Sequence, residues 1–307
     1  LRDDHTGIVL AITRWYDGRR AALSLRFDDS HPTHLNTVIP MLNEYGFAGT
    51  FMVNPGARDF QERSAEWTRI AQEGRHELAN HTLHHRGAIG DDEMEIEVGD
   101  AAKAIRNMTS RATLMALNLG GGTYWQTTRS LRFYLDKYCL FDASAGSLGM
   151  DDTYGNRLAA FSAHLANHIA RGLWCRIHFH SIGKGLASSE ETLRNALDLI
   201  KKHEPELWVA GMTAIYKYET ERNASRLRLQ QAKASSLVFE YVCETDSQVF
   251  EHPLTIAITS PQLGQGNLRV FTRQGTEIPL RPRMMDGNTV LCFDVQPPSG
   301  QYIIEIR

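Results

Sequence analysis

With 307 residues, a formal charge of −3, 42% hydrophobic and 22% charged residues, the chain has the composition of an ordinary folded protein. It is long enough for one large core, or for a large and a small domain. The near-neutral charge leaves no basic excess for nucleic-acid phosphates or anionic lipid, and no apolar run approaches the roughly 20 residues of a membrane-spanning helix, so all three are set aside.

The opening residues, Leu1 to His5, carry neither a starting Met nor the basic-then-apolar layout of a signal peptide, so the chain is expected to begin after a processing boundary. From about residue 20 to about 220, short apolar runs alternate with stretches of helical periodicity. Ala21–Phe27 reads as a strand that runs into two aspartates. Leu35, Val38, Ile39, Leu42 and Tyr45 follow at helical spacing, with a stop at Gly46. Phe47–Val53 is a second strand, closed by Asn54-Pro55-Gly56. A helix around Trp67 and Ile70 ends at Gly74, and Glu77–Ala79 leads into a histidine cluster. Helices are then expected over roughly 91–108, 126–137, 157–170, 189–203 and 211–222. Strands are expected over 113–117, 139–143, 173–179 and 207–210. Such alternation implies βαβ units and a mainly parallel sheet, and about seven of them fit a distorted α/β barrel of (β/α) type over residues 1–225. The absence of Gly-x-Gly-x-x-Gly after the first strand counts against a dinucleotide site.

After a polar segment at 221–235, read as the linker to a second domain, the pattern changes. Strand-like runs at 237–242, 254–259, 268–272, 289–293 and 302–306 are separated by turn text such as Gly264–Asn267, Asp286-Gly287-Asn288 and Pro297–Gly300. A small all-β, sandwich-like domain is expected over 230–307. Four cysteines (Cys139, Cys175, Cys243 and Cys292) are too few and too scattered for a disulfide framework or a zinc knuckle. Cys243 and Cys292 could pair, or all four could be buried thiols.

Two features carry chemistry. Phe27-Asp28-Asp29 puts adjacent carboxylates at the end of a buried strand, where they are costly unless something cationic uses them, although an Asp there can also serve as a cap or turn residue. In an α/β barrel, catalytic groups sit at this end of the strands. His81-Thr82-Leu83-His84-His85 offers imidazoles close enough to share one ion. A carboxylate from another strand end would complete three protein ligands and leave a position for water. His31 and His34, just after the aspartates, are read as helix-start residues with a possible place in the pocket. Asp151-Asp152 is read as a solvated loop pair.

Together these segments resemble the first two motifs of the polysaccharide deacetylase family (carbohydrate esterase family 4, the NodB-homology domain). Tyr45–Phe51 and His76–Thr82 are similar to its flanking text. The resemblance covers about residues 20–220. It implies that Asp28 is the general base, that Asp29, His81 and His85 hold a divalent metal, and that His84 does not. It also implies a histidine acid at the end of a late strand. Within Gly172–Ile182 the family pattern favours His180, with His178, on the same strand face, as the competitor and as a pocket residue. Zinc is the first choice of ion, with cobalt, nickel or iron also compatible. Trp125, beside the glycine run, is the aromatic most suited to stack on a sugar. Leu117–Tyr124 stands where the family's third motif carries an Arg and a Pro, and has neither; Phe141–Ser144 is the nearest text to its fourth. The residue that orients Asp28 does not follow from the resemblance. The implied activity is removal of N- or O-acetyl groups from a polysaccharide or oligosaccharide by an exported enzyme. Hydrolysis of a non-sugar amide or imide at the same site, or carbohydrate binding without turnover, are the alternatives.

Overall fold

The computed structural model describes residues 1–109, 114–260, 268–285 and 287–306. It comprises two compact units, Leu23–Thr213 and a second made of Leu1–Ala22 with Ala214–Arg307.

The first unit is built on strands β1 (Ala21–Asp28), β2 (Thr50–Val53), β3 (Glu77–Asn80), β4 (Met115–Leu117), β5 (Leu140–Asp142), β6 (Leu148–Gly149), β7 (Trp174–Phe179) and β8 (Leu207–Val209). They form one sheet in the order β5-β4-β3-β2-β1-β7-β6, with β8 also pairing β1. The pairs β5/β4, β4/β3, β3/β2, β2/β1 and β7/β6 are parallel. The sheet is a curled half-barrel of α/β type that ends at β5 and β6, as the alternating pattern predicted in outline. Every residue of β1 and β2 is buried, which is why both read as near-continuous apolar runs. Residue 113 of the predicted fourth strand lies outside the described residues, as does the predicted turn 264–267 and residue 286 of another.

Between the strands run helices including Ile39–Tyr45, Ser64–Glu73, Ala101–Met108, Arg157–Arg171 and Glu190–Lys202. The first two stop at Gly46 and Gly74, as predicted. The last is held at its start by Ser189, whose hydroxyl accepts from Thr192 N–H at 3.0 Å. Glu190 and Glu191 in its first turn and Lys201 and Lys202 in its last match the helix dipole. The helix predicted from residue 126 begins only at Leu131, because Trp125–Gln126 instead pairs with Ala88–Ile89 as a two-stranded ribbon.

Register places the chemistry. Asp28 is level with Met52, Val53 with Asn80, Asn80 with Leu117, and Leu117 with Asp142. The strands therefore end together, and Asp29, Asn54, His81 and Asn118 all emerge at one rim. Within β1, alternation turns Phe27 to the opposite face from Arg26 and Asp28, where it stacks between Phe51 and Phe179 at 5.3 and 5.6 Å.

The second unit holds two antiparallel sheets. One has the order Val9–Ile12, Leu254–Thr259, Asn288–Val295, Arg281–Met285. The other runs Ser225–Lys233, Ser236–Cys243, Ser299–Ile306, Leu268–Thr272, Glu277–Ile278. Phe239 and Tyr302 of the second sheet meet Phe293 of the first in its core. Two expectations are corrected here. Residues 1–22, expected with the barrel, group with this unit because Val9–Ile12 hydrogen-bonds to Leu254–Thr259. The polar segment at 221–235 is not a linker: Ser225–Lys233 is an edge strand, and its charged, exposed side chains hid it from an apolar-run reading. Of the two readings of the cysteines, thiols hold: Cys243 and Cys292 lie on different sheets, and none of the four is in a disulfide.

Glu221 is fully buried on helix Met212–Asn223. Its Oε1 accepts from His252 N–H at 2.9 Å, and Oε2 has no partner. Burial pushes its carboxyl up to about 8. A folded-state value above the unfolded one means that this group's contribution is complete below the ordinary glutamate range and is lost as pH rises towards 8. Glu221→Gln is therefore expected to remove roughly 2–4 kcal/mol of the stability difference between pH 5 and pH 9 in urea unfolding. An unchanged difference would show that Glu221 is already ionised in the fold.

Candidate active site

Asp29, His81 and His85 converge at the rim of the half-barrel, one ligand atom of each lying within 4.8 Å of the others. Asp29 Oδ1 is 3.2 Å from His81 Nε2 and 3.9 Å from His85 Nε2. The backbone that brings them there is unusual. Asp29, Ser30, Thr82 and His85 all have positive φ, at 76°, 55°, 68° and 57°. Non-glycine residues in that region are uncommon, and a β-branched Thr there is a true outlier that costs on the order of 1–3 kcal/mol.

Two asparagines hold this geometry. The side-chain amide of Asn54 donates to the carbonyls of His81 and Thr82, and its backbone N–H donates to Ser30 Oγ at 2.7 Å. Asn80 Oδ1 accepts from Thr82 N–H at 2.8 Å, while its amide donates to the Val98 carbonyl. Thr82 Oγ1 then accepts from His85 N–H at 3.0 Å.

These residues suit a divalent metal. His81, nearly fully buried, donates from Nδ1 to the Asn118 carbonyl at 2.9 Å, so its Nε2 lone pair points at Asp29. Gly120 passes so close that a Cβ there would lie 2.2 Å from His85 Nε2, and its φ of +81° also favours glycine. The side chains of Asp29, His85 and His180 remain 29–33% exposed, which leaves an approach from solvent. Burial raises the Asp29 carboxyl, but the surrounding imidazoles of His81, His180 and His85 outweigh it and hold it well below the usual range. His84 faces elsewhere: Nδ1 and the backbone N–H both donate to Glu97, at 2.9 Å each.

Asp28 is buried beside this cluster. Its Oδ2 is 2.9 Å from Arg26 Nη2 and accepts from Asn118 Nδ2 at 3.3 Å. Its Oδ1 is buried with no partner. Arg26, also buried, donates from Nη1 to the Ala143 carbonyl at 3.0 Å. The guanidinium absent from 117–124 is thus supplied from β1 itself, two residues before Asp28 on the same strand face. Strand periodicity alone was enough to point to it.

His180 lies across from Asp29, Nε2 to Oδ2 at 3.9 Å. Its Nδ1 donates to Asp151 Oδ2 at 2.5 Å, and Asp151 Oδ1 accepts from His180 N–H and from Ser188 Oγ. Asp151 is buried, which corrects its reading as solvated: it turns in from the loop after β6 to brace the histidine. This hydrogen bond and the Asp151 charge raise the imidazole of His180. His178 is bonded to Ser147 Oγ at 3.0 Å, and burial, then the Arg26 charge, push it down to about 4. The two strand neighbours therefore differ: His180 is biased towards its protonated form, His178 towards its neutral one. His34 is a core residue, bonded to the His180 carbonyl at 3.0 Å and packed against Phe27, Phe51 and Trp67. His31 Nε2 stands 4.0 Å from Asp29 Oδ2. Trp125 is half-buried and donates from Nε1 to Thr123 Oγ1 at 2.6 Å, whereas its neighbour Tyr124 is 63% exposed.

If His180 acts as a proton donor, activity falls as pH rises through its value. Asp151→Asn is then expected to move that alkaline limb of kcat to lower pH by about one unit. An unmoved limb would mean that Asp151 does not set the proton affinity of His180.

Residues 16–135 match the family model described as polysaccharide deacetylase. A comparison with curated protein sequences finds no match. Among solved structures, the chain is similar to a family 4 acetyl xylan esterase from Clostridium thermocellum (20% identity, 64% of this chain and 90% of that one, TM-score 0.47). It is also similar to a family 4 carbohydrate esterase from Streptomyces lividans (16%, 64% and 94%, 0.47). A third is BA3943, a CE4 family pseudoenzyme from Bacillus anthracis (13%, 63% and 64%, 0.45), of whose length this chain covers under two thirds. At these scores the structural likenesses say nothing of activity, and the assignment rests on the matched segment, which holds Asp28, Asp29, His81 and His85. The likeness to the polysaccharide deacetylase family is thus shown for residues 16–135, less than half of the chain.

Proposed function

We propose that the protein is a metal-dependent deacetylase that removes acetyl groups from a carbohydrate. The observation that carries this reading is the buried, unpartnered Oδ1 of Asp28 beside the three converging ligands Asp29, His81 and His85. An orphaned carboxylate oxygen is expensive in a site built only for binding, and is what a general base requires. A divalent ion held by Asp29, His81 and His85, zinc as the first choice, supplies Lewis acidity for attack on an acetyl carbonyl. Asp28 takes the proton from the attacking water at Oδ1 while Arg26 and Asn118 hold Oδ2. His180 keeps a proton at Nε2 for the departing sugar amine or hydroxyl, and Asp151 fixes its ring through Nδ1–H. His178, neutral and beside Arg26, and Trp125 serve the pocket as substrate contacts. No described helix is long and apolar enough to cross a membrane, and an exported location belongs to this reading.

The test is acetate release from a panel of N- and O-acetylated glycans. Release is expected to stop on chelation and to return with zinc or cobalt. Release of ammonia or a carboxylate from a non-sugar amide, with no acetate from any glycan, would overturn the proposal.

A further inference from the structure

Outside the active site, a second set of ligating side chains converges. His164 and His168 stand one turn apart on helix Arg157–Arg171, so their rings share a face, with centroids 4.0 Å apart. The helix ends at Gly172, in left-handed geometry at φ +64°, and Leu173 N–H donates back to the His168 carbonyl at 2.9 Å. That tight turn sends β7 back against the helix it has just left, and Cys175 faces it. One ligand atom each from His164, His168 and Cys175 falls within 4.8 Å of the others, as in the active-site cluster.

Three details distinguish this group from chance packing. His168 Nδ1–H donates to the His164 carbonyl at 2.7 Å, which leaves the lone pair on Nε2; ligating imidazoles are commonly fixed in this way. His164 Nε2 is buried and has no hydrogen-bond partner. His168 also lies in the last turn of the helix, at its carbonyl end, where the dipole favours a cation. Cys175 is fully buried, while both imidazoles are partly exposed, which gives an ion a route in.

We propose that His164, His168 and Cys175 form a second, structural transition-metal site that clips helix Arg157–Arg171 to β7. Two imidazoles and a thiolate suit zinc, with a water or other donor as fourth ligand. On binding, the thiol proton of Cys175 leaves to solvent and its sulfur takes the ion, so uptake is coupled to proton release. Because β7 carries His178 and leads directly into His180, the clip would steady the strand that positions the proposed acid. The site stands independently of the proposed activity.

The experiment is to strip the full-length protein of metal and titrate it with cobalt(II). Only the second site offers sulfur, so it alone gives a thiolate-to-cobalt charge-transfer band in the near ultraviolet. The wild type is expected to bind two equivalents and show the band. Cys175→Ser should bind one and lose the band, whereas His81→Ala should bind one and keep it. Should Cys175→Ser fail to fold, His168→Phe, at a partly exposed helix position, is expected to behave as it does. One equivalent without the band in the wild type, or a band that survives both Cys175→Ser and His168→Phe, overturns the proposal.

Discussion

Asp28→Asn is expected to lower kcat for acetate release by about 10²–10⁴-fold while the metal content of the protein stays unchanged. The two effects separate because the neighbouring carboxylates are divided in role by geometry. Asp29 faces His81 and His85, whereas Asp28 points into the half-barrel with Oδ2 held and Oδ1 open. An amide at position 28 can still accept from Asn118 and Arg26, but it cannot take a proton from water. The variant leaves the Arg26 charge facing a neutral group, so the assay belongs below its lowered unfolding midpoint. Metal analysis and acetate release on the same preparation decide the matter. Turnover within tenfold of wild type would remove Asp28 as the base.

The second large effect is on stability. Arg26 and Asp28 are a buried ion pair at 2.9 Å, with side chains 5% and 2% exposed. Removing one partner of such a pair strands the other charge, at a cost of about 3–5 kcal/mol, whereas removing both charges costs far less. Arg26→Met is therefore expected to lower the unfolding free energy by that amount. Arg26→Met combined with Asp28→Asn should recover at least half of the loss. Urea unfolding of the two single variants and the double variant closes the cycle. Strict additivity would mean that the pair is not coupled, and that the orienting role given to Arg26 is wrong. Arg26→Lys separates orientation from charge: it keeps the cation but loses the fork that spans Asp28 and the Ala143 carbonyl, so it should fall in kcat more than in stability.

The two proposals at the active site depend on different parts of the molecule. His180 can serve as acid only if Asp151 keeps its ring in place, and Asp151 is itself tied by Ser188. The base side depends instead on Arg26 and Asp28, which share one face of β1, and on their partners Asn118 and the Ala143 carbonyl. Damage to one arm should therefore leave the geometry of the other intact, and pH profiles of Asp151→Asn and Arg26→Lys should differ in which limb moves.

Much of the half-barrel was legible from local pattern. Buried strands such as Ala21–Asp28 and Thr50–Val53 announce themselves as apolar runs, and helices that stop at Gly46 and Gly74 carry their own punctuation. The pairing of Phe27-Asp28-Asp29 with His81 and His85 was legible as well, because residue type and position at strand ends suffice to suggest shared ligation. The N-terminal strand and the edge strand Ser225–Lys233 were not: the first owes its place to a partner distant in sequence, Leu254–Thr259, and the second is a polar hairpin strand held to its neighbour Ser236–Cys243 by backbone hydrogen bonds rather than by its own hydrophobicity.

What the sequence by itself determined is therefore the set of groups available, namely paired carboxylates, clustered imidazoles and the alternation that makes a parallel sheet. Tertiary structure decided which of them meet. Asp151 became a buried partner of His180, and Asn54, Asn80 and Asn118 became the supports of a strained rim, through contacts that no spacing encodes. The separation of His178 from His180 arose in the same way: the Asp151 carboxylate holds one ring, while burial and the Arg26 charge act on the other, whose partner is only a hydroxyl. Hydrogen bonds and burial act over a few ångströms in space, and the fold alone determines which residues lie within that reach.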